Sequence, residues 1–355
     1  MAATESTTTS GRGSGSGTDS GPGDGPLDAL LTAIGWLPGR QGMPSGAALA
    51  TSPAPPAAPQ TPATSPAAPR TPATPSAAPR TPAAAPAATP TAPPATTAAV
   101  PSTSPVVGRV AAGEPRVRLI CLPQAGGSAG TFSSWRGHLP PGFELAAVDL
   151  PGRGTRGAEP LPAGLGTLAD RLADALAPEL GMPYALFGHS MGALVAYELA
   201  VRIERRGLRP PLALLVSASR APHVPVTARV SGRDDQALLA WLTAIGGIPQ
   251  DLLRYPAYLR HALRVIRADL GLAERYHAPD PVRVRTPLHV FGGTEDQLVP
   301  ADQLARWSAC AAGEHTLTLL PGGHSYPYTG APAVLAALAA LPALAQENPQ
   351  KEAVR

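Results

Sequence analysis

The sequence predicts an α/β fold: a mainly parallel sheet with helices on both faces. Three observations predict it. Short apolar runs at 117–122, 143–149, 212–216 and 287–292 alternate with helical patterns, and strands that apolar need cover on both sides. Loops of small residues follow several of these runs, as at Gln124-Ala125-Gly126-Gly127. One such loop, Gly188-His189-Ser190-Met191-Gly192, reads Gly-x-Ser-x-Gly between an apolar run and a helical pattern, the setting of a nucleophile elbow.

The 355 residues divide unevenly. Residues 1–112 are dominated by Pro, Ala, Thr, Ser and Gly, too poor in large apolar side chains to offset their conformational entropy, and a disordered tail is expected. A loose Ala-Ala-Pro-Arg-Thr-Pro-Ala unit recurs within it and reads as a semi-extended spacer. Leu27, Leu30, Leu31, Ile34 and Leu37 recur at helical spacing, a short helix over 27–37 that is marginal alone. Order is expected from near Pro115, within a single domain over 113–346, with residues 347–355 disordered.

A net charge of +3 with interleaved signs excludes the basic stripe of a nucleic-acid binder. Cys121 and Cys310, both in apolar surroundings, give neither a disulfide framework nor a metal-spaced pair. The N-terminus lacks a cationic start and an apolar signal core, and no apolar run reaches spanning length. A cytoplasmic protein is expected, without membrane or nucleic-acid partners.

In chain order, a strand at Val117–Leu122 leads into the loop from Pro123 to Gly130, and a helix begins at 131–135. The next strand, 143–149, ends in Leu150-Pro151-Gly152-Arg153-Gly154. Residues 165–180 form an amphipathic helix before the strand and helix around Ser190. Strands at 212–216, 287–292 and 316–320 follow, with helices at 301–310 and 331–345. An insertion over about 224–280 separates two of those strands and carries helical patterns at 234–245, 251–255 and 258–276; its position above the carboxyl edge suits a lid.

A serine nucleophile needs a base on a late loop. His324, after Leu320-Pro321-Gly322-Gly323, fits; His289 lies inside a strand, and His223 sits where the insertion begins. The acid should follow a strand and turn toward that histidine. Asp296 does so, with Glu295 and Asp302 as fallbacks, and Val216-Ser217-Ala218-Ser219 offers no acid. The order Ser190, Asp296, His324 is one of the known triad orders. The backbone N–H groups of Ala125 and Met191 are the candidate oxyanion donors, with Gln124, His189 and Tyr326 adjoining the substrate.

These motifs, together with Pro151-Gly152-Arg153-Gly154-Thr155-Arg156, Ile266-Arg267-Ala268-Asp269-Leu270 and Gly292-Gly293-Thr294-Glu295-Asp296, make residues 116–344 resemble the stand-alone type II thioesterases of polyketide and nonribosomal peptide biosynthesis. The resemblance implies an α/β-hydrolase fold and a Ser190–His324–Asp296 acyl-enzyme mechanism. It also implies hydrolysis of acyl thioesters carried on the phosphopantetheine of acyl or peptidyl carrier proteins, with no metal or other cofactor. A monomer is expected. Ser325-Tyr326-Pro327-Tyr328 departs from the family's usual phenylalanine pair, and the N-terminal tail is foreign to the family pattern. Arg153, Arg156 and the arginines of the insertion are candidates to meet an acidic carrier, against the plainer reading of scattered surface charge. The alternatives are a small-molecule carboxylesterase or lipase, a chain-releasing thioesterase, and a non-catalytic binding protein on the same fold.

Overall fold

A seven-stranded sheet in the order β1-β3-β2-β4-β5-β6-β7 organises the protein. The computed structural model describes residues 104–248 and 250–345; the helical pattern at 27–37, the repeats and the C-terminal 347–355 lie outside the described residues. The strands are β1 (Val106–Ala111), β2 (Val117–Leu122), β3 (Phe143–Val148), β4 (Tyr184–His189), β5 (Ala213–Ser217), β6 (Leu288–Gly293) and β7 (His315–Leu320). All pair in parallel except β1, which runs antiparallel to β3. The fold class is the one the sequence predicts.

β1 corrects the sequence reading, which starts order near Pro115. Its residues are Val-Val-Gly-Arg-Val-Ala, half-buried at the sheet edge, and Gly108 takes φ 60° where the register with β3 shifts. Six residues with a glycine, following Pro105, do not stand out from the composition upstream. Tertiary contacts hold the strand: Arg109 and Arg118 both reach Glu179 and Glu144.

From β2 the chain passes to β3 on one side, then crosses back to β4 and continues outward to β7. The loops leaving β2 and β4 therefore diverge at the carboxyl edge, where a parallel sheet opens a crevice. Alternation along the strands feeds two cores. Ile120, Leu186 and Val216 pack on the side of α1 (Leu165–Leu176) and α2 (Met191–Arg205). Leu119, Phe187 and Leu215 pack with Phe132, Trp135 and the C-terminal helices on the other.

Three expected helices are shorter than their apolar pattern. α1 tightens into a 3-10 turn over Ala177–Gly181, where Pro178 removes a backbone donor. The pattern at 301–310 resolves into α5 (Ala301–Ala305) and a 3-10 turn, Arg306–Cys310. The last helix divides at Pro342 into α7 (Ala331–Ala339) and α8 (Pro342–Ala345), preceded by the single turn α6 (Tyr326–Thr329).

The insertion holds α3 (Asp235–Ala244), a 3-10 turn at Gln250–Arg254 and α4 (Pro256–Arg275), close to the expected bounds. Asp234 caps α3 by accepting from the Ala237 N–H at 2.8 Å. Leu238, Leu242, Leu252, Leu263 and Ile266 give the insertion a small core of its own. Among the described residues no helix is long and apolar enough to cross a membrane.

Candidate active site

Ser190 is the single residue between the end of β4 and the start of α2, and it takes φ 55°, ψ −119°. The turn is possible because its flanking glycines have no side chains. A Cβ on Gly188 would run into the backbone of Gly192, and one on Gly192 into the carbonyls of Leu122 and Pro123. The Ser190 N–H donates to the Ser217 carbonyl at 2.8 Å, which ties the strained residue to the end of β5. Ala218, next along, is the other described non-glycine residue with positive φ, at 48°.

The Ser190 Oγ lies 3.1 Å from His324 Nε2, and His324 Nδ1 lies 2.9 Å from Asp296 Oδ2. The second carboxylate oxygen of Asp296 accepts from the N–H groups of Leu298 at 2.9 Å and Val299 at 3.2 Å. With the carboxylate as acceptor, Nδ1 carries the imidazole proton and Nε2 is left to accept from the serine hydroxyl. The fallback acids point elsewhere: Glu295 and Asp302 are both exposed, the latter in the first turn of α5. Buried His289 bonds Thr316 Oγ1 through Nδ1 at 2.8 Å, but its Nε2 has no hydrogen-bond partner among the described residues, so it reads as a half-satisfied core histidine.

Ala125 and Met191 both line a cavity of about 320 Å³ at Ser190, as do Gln124, His189 and His324. Met191 opens α2, so its N–H has no intrahelical acceptor. A turn closed by Gly127 N–H on the Gln124 carbonyl at 2.9 Å carries Ala125, and Gly126 within it takes φ 75°. The Gly126 N–H donates to Asp269 Oδ2 at 2.8 Å. Leu194, Val230, Leu242, Ile245 and Leu270 make much of the cavity wall apolar. A second cavity, of about 350 Å³, lies along the same turn and shares Gln124, Ala125, Ile266 and Ser325 with the first.

His189 is buried beneath His324, ring centroids 5.1 Å apart. Its Nδ1 lies 3.0 Å from Ser217 Oγ, which lies 2.5 Å from the Tyr326 hydroxyl. Burial pushes His189 well below the ordinary histidine range, reinforced by His324, so the ring is a weakened base, and its Nδ1 is engaged by Ser217. Tyr326 departs from the sequence reading. It is 1% exposed, does not line the cavity and packs in the core under α7, because its hydroxyl is drawn to Ser217. Tyr328 is instead the tyrosine that reaches the loop, donating to Gln124 Oε1.

The structure also moves Arg153 from the surface to the interior: it is 2% exposed and forms a two-pronged pair with buried Asp269 of α4. It is therefore not a contact for a carrier. Asp149 is a residue that sequence reasoning missed. At the end of β3 it accepts from Ala129 N–H at 2.8 Å, Thr155 N–H at 2.8 Å and the Thr155 hydroxyl at 2.9 Å, joining the loops after β2 and β3. Its place directly after a strand and before Leu150-Pro151-Gly152-Arg153-Gly154 is the signal that could have found it.

A strained serine behind a parallel strand, hydrogen-bonded to a late histidine that is itself bonded to a buried aspartate, is the arrangement of an α/β serine hydrolase. Residues 117–341 match the thioesterase domain family, and the chain belongs to that family. A probable cadicidin biosynthesis thioesterase of Streptomyces griseus is 36% identical over 59% of this chain; the match spans 58% of that relative's own length. Among solved structures, the RedJ thioesterase of the prodiginine pathway in Streptomyces coelicolor is 35% identical, with a TM-score of 0.57 over 64% of this chain and 88% of that one. YbtT, a type II thioesterase of the yersiniabactin pathway, is 30% identical, with a TM-score of 0.58 over 63% of this chain and 92% of its own.

Proposed function

We propose that the protein is a type II editing thioesterase. It hydrolyses acyl or aminoacyl thioesters from the phosphopantetheine of acyl or peptidyl carrier proteins and so regenerates a polyketide or nonribosomal peptide assembly line. The observation that carries this reading is the hydrogen-bonded chain Ser190–His324–Asp296, whose serine and histidine line a largely apolar cavity. The relatives with known biosynthetic roles support the substrate class.

In the proposed reaction His324 Nε2 takes the Ser190 proton as Oγ attacks the thioester carbonyl. Asp296 holds the proton on Nδ1 and stabilises the imidazolium. The N–H groups of Ala125 and Met191 receive the oxyanion, and each such donor is worth roughly 10²–10³ in turnover. The tetrahedral intermediate collapses with loss of the pantetheine sulfur, a good leaving group with a thiol pKa of about 8.5, which takes the proton from His324 Nε2 and departs as the thiol. Water then attacks the acyl-serine, giving its proton to His324, which passes it to Ser190 Oγ as the free acid leaves. Every proton move uses these side chains, so the route calls for no metal or soluble cofactor. Buried Cys121 and Cys310 do not compete as nucleophiles, since burial pushes Cys310 up to about 12 and Cys121 well above its ordinary value. The setting proposed is cytoplasmic, beside the carriers, with the protein acting as a monomer.

The test is hydrolysis of a matched acyl chain presented on a carrier protein and as a small oxygen ester, each beside Ser190→Ala. Preference for the carrier thioester, abolished in Ser190→Ala, is the expected result. Preference for the ester would reassign the protein as a carboxylesterase.

A further inference from the structure

The turn that carries Ala125 lies outside every strand and helix, so something else must fix its orientation. The structure assigns that role to Asp269: from α4 it holds the Gly126 N–H, and with it the proposed oxyanion donor one residue away, while Arg153 neutralises its charge. The assignment rests on the serine mechanism proposed above.

Three observations carry it. Asp269 is wholly buried, and its Oδ2 accepts from Gly126 N–H at 2.8 Å. Arg153, also buried, donates to both carboxylate oxygens and, through Nη2, to the Pro151 carbonyl at 3.0 Å. One turn earlier on α4, Ile266 occupies the place that a Cβ on residue 126 would need. Residues 266 and 269 share one face of the helix, so α4 grips the turn twice, by shape through Ile266 and by a charge-assisted hydrogen bond through Asp269.

Charge explains the arginine. A bare carboxylate this close to the turn would oppose the negative charge that develops on the substrate oxygen, and pairing with Arg153 removes that opposition. A buried pair of this kind costs desolvation and is often replaceable by apolar residues without loss of stability. Holding an amide is a different task, which an apolar pair cannot perform. Asp269 is thus a positioning residue, and its effect belongs in kcat.

Two neutral replacements separate these tasks. Arg153→Gln with Asp269→Asn keeps an oxygen for the Gly126 N–H; Arg153→Met with Asp269→Leu keeps the bulk but removes the acceptor. Both are assayed on an acyl-carrier thioester, with active sites counted by a fluorophosphonate so that unfolded protein is divided out. The amide pair is expected to stay within about threefold of the parent in kcat, whereas the apolar pair is expected to fall by about 30-fold or more at unchanged KM, most of the worth of one oxyanion donor. Affinity for an alkyl boronic acid, which forms a tetrahedral adduct on the serine, should fall in step with kcat. Equal kcat and boronate affinity in the two pairs would overturn the assignment.

On the unmodified protein, the Gly126 amide proton should resonate far downfield, as expected beside a carboxylate acceptor. An ordinary position would overturn the assignment whether or not the variants fold. Ser190→Ala separates this inference from its premise. Loss of hydrolysis there, with equal pairs, removes only the role of Asp269; hydrolysis that survives removes the serine mechanism as well.

Discussion

The two sides of Ser190 are built by opposite means. The elbow is a backbone construction: its glycines are demanded by main-chain atoms of Gly192, Leu122 and Pro123. The loop that faces it is a side-chain construction, held by Asp149 through Ala129 and by Asp269 through Gly126. Backbone against backbone cannot yield, whereas side chains can be exchanged. The elbow is therefore the intolerant half of the site and the loop the adjustable one.

The largest expected effect treats the two halves as one unit. Asp296→Asn leaves the shape of the site but loses the carboxylate that holds the proton on His324 Nδ1, and kcat should fall by about 10⁴ with folding intact. Steady-state turnover beside a thermal melt checks it, and a loss of less than tenfold would remove Asp296 from the mechanism.

Gly192→Ala probes the rigid half. Its new methyl meets two carbonyls that cannot rotate away, so a loss of about 3 kcal/mol or more is expected in chemical denaturation. Gly126→Ala probes the adjustable half. It costs about 1–3 kcal/mol through positive φ and overlap with Ile266, a side chain and not backbone. Adding Ile266→Ala should therefore give a double variant less destabilised than the sum of the two single changes. Strict additivity would show that the side-chain clash is not what limits residue 126.

The smallest effect concerns His189 beneath the site. Its folded-state pKa lies well below the ordinary value of 6.5, so in acid the unfolded chain binds the extra proton. The resulting stability is intact above pH 6.5 and is lost as pH falls from there toward the depressed folded value, at up to about 1.4 kcal/mol per pH unit. His189→Gln should flatten that slope in denaturant titrations between pH 6.5 and pH 5, and an unchanged slope would assign the acid sensitivity to other groups.

Legibility in the sequence follows the same division. Ser190, Asp296 and His324 were readable because each sits in a local pattern, an apolar strand followed by small residues, and because their chain order limits the choices. Arg153 and Asp269 were visible as parts of motifs, but 116 residues separate them and nothing local announces that they meet in the interior. Tyr326 and Tyr328 show the limit more finely. They alternate with a serine and a proline in one short stretch, and only packing decides that Tyr326 turns inward to Ser217 while Tyr328 reaches Gln124. β1 escaped because an edge strand of six residues needs little apolar content of its own once β3 offers it a partner.

The two left-handed residues at the carboxyl edge carry a consequence for timing. Ser190 donates to the Ser217 carbonyl and Ala218 to the Phe291 carbonyl at 2.9 Å, each adding one further bond where β4 meets β5 and β5 meets β6. The strained turns are thereby joined to the middle of the sheet, the part of a protein that opens last, so their amides should exchange with solvent only on global unfolding. The slowest clock in the molecule then belongs to the serine, and the cavity walls around it are free to fluctuate faster without disturbing the turn that presents its hydroxyl.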